Sequence, residues 1–393
     1  MKFPRDRFLI GAYFYDDTLY EDKYMKDASD MGIDFLVQTG AEKKYLDLCE
    51  KYGIGVLATK ILPRWWGNDG SNAGGYEKTM SNEVMLKAKS TYPDSSALWG
   101  DYLVDEPSSK DFDGITRVVK EYEKIFPGQF PYINLYPNYA SVAQNTKEQA
   151  ISQLGNATYA EHIDEYLKKV DLDYLCFDYY PFQGSNCGTF DMYLENLDIA
   201  AKACRKSGRD LWLIIQTGAW LTVQNLKEFQ LRWQAFLSLA YGSTVIMHAT
   251  YCKGWWTEDT SCVNSDGSKN PVYYYAKRLN ADLHALGERL FRYRSTGITV
   301  HGDIENAHPR LVSQLMRQKN SPDHGIISNI SITADGAVLA GHFTNKDSGA
   351  PAVLIVNMKD AFDENAKVSG TVTLGEKTFD FELPSGEGKL FEF

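Results

Sequence analysis

The stretch LWGDYLVDEPSSKDFDGITRVVKEYEKIFPGQFPYINLY, residues 98–136, contains a complete strand–helix–strand pattern. Apolar runs at 98–104 and 132–135 are typical of buried strands, and residues 113–126 carry a helical pattern that ends at a Pro-Gly pair. A strand, a helix and a second strand in this order predict a parallel sheet. The first strand ends on two adjacent acids, Asp105 and Glu106, and a proline follows them.

The same alternation extends in both directions along the chain. Eight short apolar runs, most of them separated by helical patterns, lie at 8–14, 33–37, 54–58, 98–104, 132–135, 174–177, 211–215 and 244–247. Eight such units over about 285 residues match a (β/α)8 TIM barrel. A doubly wound open sheet is the alternative, but the chain has no glycine-rich phosphate loop.

The pattern changes after residue 293. Seven short strands with alternating apolar residues are predicted at 297–300, 326–332, 337–343, 352–357, 368–374, 378–383 and 389–393. This pattern predicts a small antiparallel β-sandwich of about 100 residues. We therefore expect a catalytic barrel over residues 1–293 and a C-terminal sandwich over residues 294–393.

Composition limits the partners. The 393-residue chain has a formal net charge of −11, which argues against nucleic acid or an anionic membrane as the main partner. No run is long enough to span a bilayer. The N-terminus lacks a signal-peptide pattern, so we expect a cytoplasmic protein, or a secreted or periplasmic one if a leader has been removed. The oligomeric state is left open.

Cofactor motifs are missing from the sequence. Neither a Walker A motif nor a GxGxxG motif is present, and the seven histidines form no HxH or HExxH pair. We therefore expect no metal and no cofactor.

Residues at the strand ends suggest the chemistry, because barrel enzymes place their active sites at the C-terminal ends of the strands. Carboxylates there perform proton transfer, amides bind hydroxyls, and aromatic rings stack on sugar faces. The predicted catalytic residues are Glu106, Asp105 and Asp178. The predicted substrate-binding residues are Tyr13, Gln38, Trp65, Trp66, Asn134, Tyr136, Tyr180, Gln216, His248, Trp255 and Trp256.

The motifs WGDYLVDEPS, YLCFDYYPF, LWLIIQTGAW and LRWQAFLSLAYGSTVIMHATY resemble those of bacterial glycoside hydrolases around the family 42 β-galactosidases. This resemblance implies that Glu106 is the acid/base at the end of the fourth strand. It also implies a glutamate nucleophile at the end of the seventh strand, where this chain has Gln216. Three explanations remain open: a deliberate Glu-to-Gln change, another carboxylate such as Asp178 acting instead, or a nucleophile that the substrate supplies.

The Asp105–Glu106 pair is also similar to that of family 20 and 123 N-acetylhexosaminidases. There the resemblance implies that the aspartate orients the 2-acetamido group, that the glutamate protonates the leaving oxygen, and that a tyrosine, here Tyr136 or Tyr180, lies near the acetamido group. Two neighbouring carboxylates should not both ionise easily, so one pKa should rise.

Together these patterns predict a glycoside hydrolase that cleaves an O-glycosidic bond in an oligosaccharide, with a β-galactoside or a β-N-acetylhexosaminide as the expected substrate. Glu106 is the predicted general acid/base. The alternative is a non-catalytic carbohydrate-binding protein on a degenerate hydrolase barrel.

Overall fold

In the computed structural model of the chain, the described residues are 3–14, 19–140, 153–183, 189–219, 225–252, 254–256, 259–320 and 325–393. Eight parallel strands form one sheet in the order β5-β4-β3-β2-β1-β8-β7-β6. They are β1 (Leu9–Tyr13), β2 (Phe35–Thr39), β3 (Gly55–Ala58), β4 (Leu98–Asp105), β5 (Phe130–Asn134), β6 (Tyr174–Tyr179), β7 (Asp210–Gln216) and β8 (Ser243–Ala249).

The sheet closes between its two edge strands. The backbone N–H of Leu135, just after β5, donates to the carbonyl of Cys176 in β6 at 2.9 Å. The predicted TIM barrel is therefore confirmed, and each of the eight predicted strands is present in it.

Helices pack around the barrel. They are α1 (Asp22–Asp30), α2 (Lys43–Tyr52), α3 (Tyr76–Thr79), α4 (Asn82–Lys89), α5 (Phe112–Ile125), α6 (Tyr159–Lys169), α7 (Tyr193–Ser207), α8 (Glu228–Ala240) and α9 (Pro271–Leu290). Local signals fix their ends: a capping box of Thr158 and Glu161 begins α6, and Asn270 caps α9 ahead of its first residue, Pro271. Helix α2 ends at Gly53, which adopts the left-handed conformation that favours glycine.

Aromatic side chains fill the lower barrel. Phe3 enters from the N-terminal end of the strands and stacks on Phe130 and Trp212, with ring centroids 4.3 and 5.2 Å away. Above this layer the hydroxyls of Tyr13 and Tyr132 lie 3.0 Å apart. Because these layers close the bottom and the middle, the space left inside the barrel lies at the C-terminal ends of the strands.

Two antiparallel sheets follow the barrel. One contains β9 (Tyr293–His301), β11 (Val338–Asn345), β12 (Pro351–Asn357) and β15 (Gly388–Glu392), and the other contains β10 (Ile330–Ala334), β13 (Val368–Leu374) and β14 (Lys377–Leu383). Their facing sides enclose a small apolar core that includes Val338, Val353 and Phe381. The predicted sandwich is therefore confirmed.

The four-stranded sheet also packs on the barrel. A Cβ at Gly341 of β11 would overlap the backbone of Ala240 in α8, so the close approach of strand and helix requires glycine there. Between β9 and β10 the chain forms a helix, α10 (Pro309–Asn320), which the sequence analysis did not predict. Its Gln314 binds the backbone of Phe190 and Leu194. A proline at its first position and leucines at 311 and 315 were the available signals.

Within the described ranges, no helix has the length and apolar character required to cross a membrane.

Candidate active site

A cavity of about 450 Å³ opens at the C-terminal ends of the barrel strands. It is within the size range of small-molecule sites. It is lined by Tyr13, Gln38, Arg64, Trp66, Asp105, Glu106, Asn134, Tyr139, Asp178, Tyr180, Ile214 and Trp255.

The end of β4 brings two neighbouring carboxylates into this cavity. Neighbouring side chains of a regular strand point to opposite faces of the sheet. Glu106 instead has a φ of 49°, in the left-handed region, and its side chain lines the same cavity as that of Asp105. Its N–H donates to the carbonyl of Asn134 at 2.8 Å, which anchors the turn to β5.

Two residues that line the cavity have a left-handed backbone. Gln38, at the end of β2, also lines it and also has a positive φ, 63°. A non-glycine residue in this region costs on the order of 1–3 kcal/mol and persists where surrounding contacts hold it. The backbone of Glu106 packs closely against Gly67, where a Cβ would overlap the carbonyl of Glu106, so this approach requires glycine.

One amide and one indole donate hydrogen bonds to the three carboxylates of the cavity. The Nδ2 of Asn134 donates to Asp178 Oδ1 at 2.8 Å and to Asp105 Oδ1 at 3.2 Å. The indole Nε1 of Trp66 donates to Glu106 Oε2 at 2.6 Å. The cavity therefore holds three acids, two of which share a single amide.

Burial and mutual repulsion disfavour ionisation of these acids. Burial raises the pKa of Glu106 well above its usual value, and the charges of Asp178 and Asp105 raise it further. Burial followed by the charge of Asp105 raises the pKa of Asp178 to about 7. Burial also raises the pKa of Asp105, while hydrogen bonds with Tyr102 and Asn134 and, after them, the charge of Arg64 lower it in part.

Gln216 is the last residue of β7, but its side chain does not line the cavity. Its Nε2 donates to the carbonyls of Phe182 and Gly218 at 3.1 and 3.0 Å, and its Oε1 accepts from the N–H of Phe182 at 2.7 Å. The side chain is 0% exposed. It braces the segments after β6 and β7, and the β7 residue that faces the cavity is Ile214.

His248 is also outside the cavity. Its ring nitrogens contact Thr217 Oγ1 at 3.0 Å and Asn280 Oδ1 at 2.8 Å, which ties β8 to α9. Burial lowers its pKa to about 4, so the imidazole is neutral at physiological pH.

Three predicted aromatic residues, Trp65, Tyr136 and Trp256, do not line the cavity. Trp65 packs edge-on against Tyr76, and the hydroxyl of Tyr136 donates to the carbonyl of Asn68 at 2.6 Å. Trp256 is buried beside Tyr180, with ring centroids 5.2 Å apart. The lining itself includes Tyr139, Arg64 and Ile214, which were not among the predicted site residues.

Among the residues that the structure describes, no group of three or more His, Cys, Asp or Glu side chains is arranged to hold a metal ion.

No family model matches the sequence, and no curated protein matches it. Solved structures resemble the fold. A candidate α-L-fucosidase of Bacteroides thetaiotaomicron is 13% identical over 73% of this chain and 95% of its own, with a TM-score of 0.48. An endo-β-1,4-mannanase of Thermotoga petrophila is 10% identical over 97% and 98%, with a TM-score of 0.49.

A β-glucuronidase of Bifidobacterium dentium is 11% identical over 70% of this chain and 46% of its own, with a TM-score of 0.49. At such identities and TM-scores the likeness assigns no role to any residue of the cavity.

Proposed function

We propose that the protein is a glycoside hydrolase that cleaves an O-glycosidic bond, with Glu106 as the general acid/base. The observation that carries this proposal is the pair Asp105–Glu106, both of whose side chains line one cavity together with Asp178. Glycosidases commonly use two carboxylates of different protonation state at the scissile bond.

Glu106 has the properties of a proton donor. Its raised pKa favours the protonated carboxyl, which is the form that a general acid requires. The indole of Trp66 donates to Oε2, so Oε1 is the oxygen that can carry the proton to the glycosidic oxygen. The bond to Trp66 also fixes the orientation of the carboxyl group, which proton transfer to a bound substrate requires.

Asp178 is the second carboxylate that we assign for a plain hexoside such as a β-galactoside. Its charge raises the pKa of Glu106 more than the charge of Asp105 does. Asn134 holds it in place. For a β-N-acetylhexosaminide, the substrate's acetamido oxygen would act as the nucleophile, and Asp105 would stabilise the positive charge that develops on the acetamido group.

Aromatic residues on the cavity wall provide faces for sugar rings. Tyr139, Tyr180 and Trp255 line the cavity together with Trp66. Flat apolar faces beside polar groups are suited to carbohydrates, whose rings have one apolar face and a polar edge.

A panel of aryl glycosides and natural oligosaccharides, followed by proton NMR, tests the proposal. It should include galactosides, glucosides and N-acetylhexosaminides, and Glu106→Gln is the paired variant. Hydrolysis by the wild type that the variant loses supports the proposal. Turnover of N-acetylhexosaminides alone would assign Asp105 as the supporting carboxylate, and turnover of plain hexosides would assign Asp178.

The second candidate is a carbohydrate-binding protein without catalysis. It is favoured by one observation: β7 ends on the buried amide of Gln216, with no carboxylate at that position. Such a protein would bind sugars saturably and release them unchanged. If no glycoside of the panel is hydrolysed and sugars bind saturably in ligand-observed NMR, the carbohydrate-binding function is favoured.

A further inference from the structure

An open groove adjoins the cavity on the side of Glu106. It has a volume of about 470 Å³ and follows the segment between β3 and α4. Arg64 and Trp66 line both the cavity and the groove, so the two spaces meet at these residues. Trp66 is 42% exposed, which is unusual for so large an apolar side chain.

Hydrogen bonds fix the groove to the barrel. The carboxylate of Asp111 accepts from the N–H groups of Gly74 and Tyr76 at 2.9 and 3.1 Å. The amide of Asn72 donates to the carbonyl of Trp66 at 2.7 Å. The surface is therefore held in place independently of any ligand.

The lining of the groove carries positive charge. Its ionisable residues are Arg64 and Lys78, and the remaining lining residues are neutral. Of the nearby acids, Asp69 accepts from the N–H of Ser71 and Glu77 pairs with Arg117. The charge of Arg64 also acts on the carboxylate of Asp105 in the cavity, so Lys78 is the cation that belongs to the groove alone. In a chain with a net charge of −11, a groove with two cations and no carboxylate in its described lining is a distinct feature.

The position of the acid assigns a direction to the substrate. A general acid protonates the glycosidic oxygen, so the leaving group lies next to it. Glu106 is bonded to Trp66 at the junction of cavity and groove. A sugar bound in the cavity would thus have its leaving group beside Trp66.

We propose that this groove binds the leaving group of the substrate and that the sugar ring of the leaving group stacks on Trp66. The leaving group carries a negatively charged substituent, a carboxylate or a sulfate, which lies next to Arg64 and Lys78. This inference rests on the proposed hydrolase function for its direction. Whether the groove binds anionic sugars selectively can be tested by binding measurements, without hydrolysis of any substrate.

Binding of three probes tests it: methyl β-D-glucuronide, methyl β-D-glucoside 6-sulfate and neutral methyl β-D-glucoside. Each is titrated by ligand-observed NMR and tryptophan fluorescence into the wild type, Lys78→Glu and Lys87→Glu. Lys78 lines the groove and not the cavity, whereas Lys87 is an exposed lysine of α4 outside it. The third protein is therefore the matched control for a reversed charge.

We expect the charged probes to bind the wild type and Lys87→Glu more tightly than the neutral probe, and Lys78→Glu to weaken them about fivefold or more. Equal binding of all three probes, or no effect of the change at Lys78, would overturn the inference. If the charged probes bind through Lys78 while no glycoside is hydrolysed, the groove is an anionic-sugar site and the hydrolase proposal fails. Hydrolysis without a charge preference at Lys78 refutes the groove alone.

Discussion

The ends of β4 and β7 differ in what their polar side chains contact. At the end of β4, Asp105 and Glu106 line the cavity; burial raises the pKa of both, and repulsion by Asp178 and Asp105 raises that of Glu106 further. At the end of β7, Gln216 uses its amide for three hydrogen bonds to backbone groups and is shielded from the cavity. The C-terminal end of a barrel strand thus holds candidate catalytic residues in β4 and a structural glutamine in β7. Hydrogen-bond partners, rather than position along the strand, distinguish the two.

Loss of the acid at β4 should have the largest effect. We expect Glu106→Gln to lower turnover at least about 10²-fold for a substrate with a poor leaving group, because the amide cannot donate the proton. An activated aryl glycoside should lose less, because its departure needs less protonation. The matched control is Glu83→Gln on the exposed surface of α4. Turnover of Glu106→Gln within about twofold of the wild type would remove Glu106 from the mechanism.

A carboxylate at β7 should destabilise the fold. In Gln216→Glu the new oxygen would face the carbonyls of Phe182 and Gly218, which now accept from Nε2. Each unsatisfied buried group costs on the order of 1–3 kcal/mol. Because burial would raise the pKa of this glutamate, the fall in melting temperature should be larger at pH 8 than at pH 5, as measured by thermal unfolding at both values. Unchanged stability at pH 8 would show that position 216 tolerates charge, contrary to its brace role.

Removal of a charge from the acidic cluster should have the opposite effect on stability. The pKa of Asp178 is raised in the folded state to about 7. The protonated Asp178 therefore contributes fully to the free energy of unfolding below the pKa that it has in the unfolded chain, and this contribution is lost as pH rises through 7. We therefore expect Asp178→Asn to raise the melting temperature at pH 8 by about 2 °C or more, with a smaller gain at pH 5, while turnover of a plain hexoside falls.

The exposed residue Asp164 in α6 provides the control, since Asp164→Asn should leave the melting temperature within error at both pH values. A lower melting temperature for Asp178→Asn at pH 8 would mean that its contacts with Asn134 outweigh its burial.

The smallest expected effect is a shift in a pH profile. In the proposed mechanism, activity requires protonated Glu106 and is lost as pH rises through the pKa of that group. Because the charge of Asp105 helps to raise this pKa, Asp105→Asn should move the basic limb of kcat/KM to lower pH, by about one unit or less. The profile is measured on an activated aryl glycoside, whose departure depends least on proton donation. A limb that stays in place or moves to higher pH would contradict the proposed coupling of Asp105 and Glu106.

Local sequence patterns were sufficient for the fold. The strands at both ends of residues 98–136 and the helix between them follow from apolar runs, a helical pattern and a Pro-Gly stop, all of which are local. Helix α10 was not predicted, because it is a single short helix between segments with strand-like alternation. Pro309 at its start and the leucines at 311 and 315 are the signals that indicate it.

The site was harder to predict because it depends on contacts between distant segments. Strand alternation alone would place Asp105 and Glu106 on opposite faces, and only the positive φ of Glu106, held by Asn134 and Gly67, brings both into the cavity. The orientation of Gln216 depends on Phe182, 34 residues earlier in the chain. No sequence signal distinguishes Ile214 as a cavity residue, since it resembles any other buried strand residue.

The most direct test is hydrolysis of the same oligosaccharide panel by the wild type, Glu106→Gln and Gln216→Glu side by side. If β4 carries the acid and β7 only a brace, the wild type hydrolyses at least one glycoside, Glu106→Gln does not, and Gln216→Glu is no more active than the wild type. If the wild type hydrolyses no glycoside and Gln216→Glu does, the structural role of Gln216 is contradicted. That result would show that a catalytic carboxylate is needed at the end of β7.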